Sequence, residues 1–176
     1  MSGRRVAVLL TALLLPGAAQ AQSCNATKFL GFFWFGCNIN TSASITIPTV
    51  MQLSLSSGAT TLTPPTSTDY DNGFVPDVGP TATVRCNQGW HMQVSAAAAT
   101  WAAVAPARVN KPAADLQWSL AANGTFTGLT TTAVTTVTGV ATAGTATSFF
   151  YHTLYDWTLD TPGNYSLTVV YTLISP

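Results

Sequence analysis

The chain has 176 residues, 47% hydrophobic and only 7% charged, where ordinary soluble domains carry roughly a quarter charged residues. Glutamate is absent and lysine occurs twice, which excludes a helical bundle with charged wet faces. It also excludes a nucleic-acid binder, which needs clustered Lys and Arg to neutralise phosphates. The polar surface falls instead to Thr, Ser and Asn, and β-branched Thr favours strands, so an all-β domain is expected.

In chain order, residues 1–21 read as a secretory signal peptide. Arg4 and Arg5 form its charged end, an apolar run follows, and Ala19-Gln20-Ala21 supplies the small residues of a cleavage site. The apolar run of about ten residues is well short of the ~20 that cross a bilayer, so no membrane span is expected. The mature chain then begins at Gln22 and is extracytoplasmic, either secreted or held at the cell surface. It keeps four basic residues against six aspartates, a net charge of −2.

Residues 22–44 form an aromatic, Cys-containing N-terminal segment. Residues 29–35 within it are almost wholly apolar (Phe29, Leu30, Phe32, Phe33, Trp34, Phe35 around Gly31). An exported chain meets oxidising conditions. Cys24 and Cys37 are close enough in sequence to staple this segment, and Cys86, within a strand pattern, is the expected free thiol.

Residues 45–176 are expected to form the domain proper. Ile45, Ile47, Leu53 and Leu55 alternate with polar residues, as a half-buried strand does, with Pro48 marking an edge or bulge. Residues 63–80 carry a series of turn signals (Pro64-Pro65, Asp71-Asn72-Gly73, Pro76, Gly79-Pro80) and read as a long connection. Residues 81–87 and 90–94, flanking Gln88-Gly89, read as a hairpin. Residues 96–107 fit a short helix or an irregular strand equally well. Leu116, Trp118 and Leu120 alternate ahead of an Asn123-Gly124 hairpin turn. Residues 126–140, 148–159 and 165–174 complete the strands, with Asp160-Thr161-Pro162-Gly163 as a turn. Short strands between Gly/Pro/Asn turns predict a single-domain antiparallel β-sandwich, Ig-like in class, with a closed barrel as the alternative.

Little in the sequence suggests an enzyme. His91 and His152 sit within strand patterns beside aromatics, the setting of half-buried sheet histidines, and neither a nucleophile elbow nor a phosphate-cradling Gly loop occurs. Asp69, Asp71 and Asp77 offer hard oxygens on one loop, but turn chemistry accounts for them and the closing Glu of a calcium loop is missing. No catalytic residue, metal or cofactor is therefore expected. The aromatics Trp34, Trp90, Trp101, Trp118 and Trp157 suit a core short of long aliphatics, or a groove for sugar rings.

Two segments resemble a known family. Gly89-Trp90-His91-Met92 is similar to the first Trp-x-Leu motif of the WxL cell-surface domains, with Met92 in the place of Leu. Tyr171-Thr172-Leu173, just before a terminal proline, resembles their closing motif, with Tyr171 in the place of Trp. Trp157-Thr158-Leu159 spells Trp-x-Leu one strand earlier. This resemblance implies an extracytoplasmic sandwich that mediates non-covalent attachment to a cell-wall polymer or to other envelope proteins. Trp90, Met92, Trp157, Leu159, Tyr171 and Leu173 are its candidate binding residues. The closing Pro162-Gly163-Asn164-Tyr165 turn and strand are also similar to coat and pilus subunits of the spore-coat-U type, which implies a homo-oligomeric fibre built by strand donation. In the first reading residues 29–35 pack within their own chain; in the second they are the donor.

Overall fold

A computed structural model describes Ser23 and residues 37–176. The expected signal peptide, Cys24 and the aromatic stretch 29–35 lie outside the described residues. Residues from Ile47 to Pro176 form one compact unit, and the described residues before it, Ser23 and 37–46, carry no regular structure and are exposed.

The compact unit is an antiparallel all-β sandwich. Strands β1 (Met51–Leu55), β2 (Phe74–Cys86), β5 (Leu116–Ser119), β6 (Thr127–Gly128) and β8 (Thr142–Leu154) make a five-stranded sheet in the order β1-β2-β8-β5-β6. Strands β3 (Trp90–Ala96), β7 (Val134–Gly139) and β10 (Val169–Ile174) make a three-stranded sheet in the order β10-β3-β7. A short ladder joins β4 (Ala102–Ala103) to β9 (Tyr165–Ser166). One short helix, α1 (Ser67–Asn72), precedes β2.

Period-two patterning decides what each strand buries. On β3, Trp90, Met92, Val94 and Ala96 face inward while His91, Gln93 and Ser95 face out. On β2 the inward set is Ala82, Val84 and Cys86, and on β8 it is Phe149, Tyr151 and Thr153. These faces meet between the sheets. One cluster gathers Ala82, Val84, Cys86, Trp90, Met92 and Phe149. A second gathers Val94, Trp101, Leu116, Leu129 and Tyr151. Cys86 is buried and free, as its strand position suggested.

Several expectations from sequence need correction. Ile45 and Ile47 alternate like a strand but lie outside β1 and are 86% and 74% exposed. The expected long connection holds a helix and the start of a strand. Thr66 caps α1 by a reciprocal bond with Asp69, and Gly73 ends it at φ +80°. β2 then runs straight through Pro76 and Pro80. Both are tolerated because β1 pairs only with Ala82–Cys86, so the earlier part of β2 has an open edge, and a register shift absorbs Gly79-Pro80.

The expected 81–94 hairpin is an arch. β2 and β3 belong to different sheets, so their apolar faces cover each other instead of lying side by side. Asn123-Gly124 does lie between two paired strands, in a wider loop, since Gln117 pairs with Gly128. Strand β8 starts six residues earlier than expected, at Thr142, and stops at Leu154, leaving Trp157 and Leu159 in a turn. The last expected strand is two strands, β9 and β10, in different ladders.

Candidate functional site

The site is the side of the sandwich where β1 borders one sheet and β10 borders the other; the two strands touch there. β10 pairs residue for residue with β3, from Val169 opposite Ala96 to Ile174 opposite His91. Among the described residues its other edge has no backbone partner. An open edge offers N–H and C=O groups to any extended segment, and folded proteins usually guard it with a charge, a proline or a bulge. Val169-Val170-Tyr171-Thr172-Leu173-Ile174 contains no charge and no proline, and its register with β3 has no shift.

Beside this edge a cavity of about 810 Å³ opens between the end of β1, the 57–65 segment and the start of β10, lined by Leu55, Leu62, Trp101, Tyr151, Val169 and Tyr171. Its apolar wall comes from side chains that the inward faces of β8 and β10 must present. The hydroxyls of Tyr151 and Tyr171 meet across the two sheets. Burial pushes both phenols above their ordinary range, and for Tyr171 the neighbouring Tyr151 adds to it.

The polar end of the cavity is a charged cluster that sequence reading missed. Lys111 is 2% exposed, and its Nζ donates to Asp160 Oδ2 at 3.0 Å and to the Leu154 carbonyl at 2.7 Å. Asp115 lies 3.2 Å from the same Nζ, and the ammonium sits over the Tyr155 ring. Arg108 reaches Asp160 Oδ1 at 3.3 Å, and the Asp156 N–H donates to Asp160. Buried charges must be paired in this way, and this cluster binds the 105–111 and 155–160 loops together. Tyr155 is pushed up to about 12, first by burial and then by the Asp77 carboxylate. One signal was legible: in a chain so poor in charge, Arg108, Lys111 and Asp115 crowd into eight positions.

The motif residues separate into two groups. Trp90 and Met92 are 1% and 0% exposed, and Trp90 Nε1 donates to the Val140 carbonyl. Tyr171 and Leu173 lie half-buried on β10 against the same cluster. Trp157 and Leu159 are 60% and 51% exposed. The Trp157 indole stacks on Tyr70 at 4.5 Å, and its Nε1 donates to Asp71. Cys37, the described end of the expected bridge, is exposed, and its expected partner Cys24 lies outside the described residues.

Four other candidates have structural occupations. His152 is held between the rings of Phe126, at 3.5 Å, and Phe74, at 4.2 Å, and burial lowers its pKa. Asp69 caps α1, Asp71 holds Trp157, and Asp77 accepts from Thr63. Among the described residues no helix is long and apolar enough to cross a membrane.

No family model matches this sequence, and no curated protein matches it as a relative.

Proposed function

We propose that this chain is an extracytoplasmic, non-enzymatic structural subunit of a surface assembly, joined to its neighbours by strand addition at the β1–β10 side. The observation that carries this reading is the unguarded edge of β10 beside an apolar cavity. An extended segment laid there would gain main-chain bonds from the edge and side-chain burial from the cavity. Export, through the signal-peptide pattern of residues 1–21, and a bridge between Cys24 and Cys37 belong to the same reading.

A second reading, attachment to a cell-wall polymer, is favoured by a different observation. Trp157 and Leu159 spell an intact Trp-x-Leu and present both side chains to solvent, whereas Trp90 and Met92 are interior. An attachment role would therefore fall on Trp157.

Negative-stain electron microscopy of the purified mature protein, run beside sedimentation with isolated cell walls, separates the two. Self-made fibres support strand addition. Co-sedimentation of a monomer, lost on Trp157→Ala, supports attachment and rejects the first reading.

A further inference from the structure

We infer that the segment filling the β10 edge is residues 39–47 of a second copy of this chain, and that the aromatic stretch 29–35 is not the donor. The inference rests on the strand-addition reading and names its partner segment. Odd positions in residues 39–47 are Ile39, Thr41, Ala43, Ile45 and Ile47; even positions are Asn40, Ser42, Ser44 and Thr46. That is the alternation of a strand with one dry and one wet face.

The structure leaves this pattern unused. Every residue from 37 to 50 is exposed, none belongs to a strand, and Ile39, Ile45 and Ile47 stand 56%, 86% and 74% open. Three isoleucines on one face of an unpaired segment are a dry face without a cover.

Length and charge fit the edge. Nine extended residues reach about 30 Å, more than the ~20 Å of a six-residue strand such as β10. No charged residue lies between Lys28 and Asp69, and β1 and β10 have none, so the paired strands themselves would carry no charge. Pairing along β10 would place alternate side chains over Tyr171 and Leu173. Residues 29–35 lack the required period: Phe32, Phe33, Trp34 and Phe35 are consecutive, and a strand would turn half of them to water.

A second copy is the occupant because the chain's own path into β1 opposes a return to β10. The chain enters β1 through residues fixed at the turn between β2 and β3. The Val50 N–H donates to Asn87 Oδ1, the Asn87 N–H to the Val50 carbonyl, and Asn87 Nδ2 to the Pro48 carbonyl. Only Pro48, Thr49 and Val50 separate Ile47 from Met51, so docking in the same chain would need a reversal within these fixed residues. A neighbour's segment has no such constraint.

The test compares three mature full-length proteins by light scattering after size exclusion and by electron microscopy: the parent, Ile45→Asp/Ile47→Asp, and Phe32→Ser/Trp34→Ser. The parent and the Phe32/Trp34 variant should polymerise. The Ile45/Ile47 variant should show at least a ten-fold smaller polymer fraction at an unchanged melting temperature, since both side chains are exposed. Equal polymerisation by the Ile45/Ile47 variant, or loss of polymer confined to the Phe32/Trp34 variant, overturns the inference and leaves strand addition standing. A parent that stays monomeric overturns strand addition itself.

Discussion

Replacing Trp90 by alanine removes the largest side chain of the cluster between the sheets. The indole is 1% exposed and packs with Ala82, Val84, Met92 and Phe149. Truncation of so large a buried ring costs about 3–5 kcal/mol, part from lost transfer energy and part from the cavity left behind. Its Nε1 bond ends on the carbonyl of Val140, a residue 80% exposed, so water can take over that acceptor and the added cost is small. Against a total stability of about 5–15 kcal/mol this is a large fraction. It should lower the melting temperature by roughly 10–20 °C in a domain of this size. Thermal and urea unfolding followed by circular dichroism would measure it, with the slope against urea unchanged if only stability moves. A Trp90→Ala protein within about 0.5 kcal/mol of the parent would refute a core role and return Trp90 to the surface-binding candidates.

Three further outcomes are expected. Gly139→Ala should destabilise by about 1–3 kcal/mol, because a Cβ there would lie 2.5 Å from Trp90 Cζ2; denaturant unfolding checks it. Asp160→Asn should destabilise the fold, by less than the roughly 3–5 kcal/mol of a fully unpaired buried charge, because Asp115 remains 3.2 Å from Lys111 Nζ. The double change Lys111→Met/Asp160→Leu should cost less, and a similar loss in both would contradict the ion-pair account. Tyr155 carries a folded value of about 12 against an ordinary 10.0, so its unfolded phenol ionises first as pH rises. Stability should fall between about pH 10 and 12, and Tyr155→Phe should flatten that decline; an unchanged pH profile would count against the burial of this phenol.

The fold class was legible because β3 and the inner half of β2 write their burial in strict alternation, from Trp90 to Ala96 and from Ala82 to Cys86. Sheet membership was not. Residues 81–87 and 90–94 read as neighbours in one sheet, and only the need of two apolar faces to cover each other sends them to opposite sheets. Pro76 and Pro80 read as loop signals because a sequence does not say which stretch of a strand lacks a neighbour. Ile45 and Ile47 failed for the opposite reason: the strand pattern is present, but both residues lie outside β1 and are exposed. The charged cluster was missed because Asp160 is far in sequence from Lys111, so only folding brings them together.

Amide hydrogen exchange along β10, followed before and after assembly of the mature protein, tests strand addition most directly. The account predicts that alternate amides of Val169–Ile174, without a backbone partner among the described residues, become protected as polymer forms, while the outer edge of β7 is unchanged. Polymers that leave β10 exchanging as fast as in the monomer would contradict it.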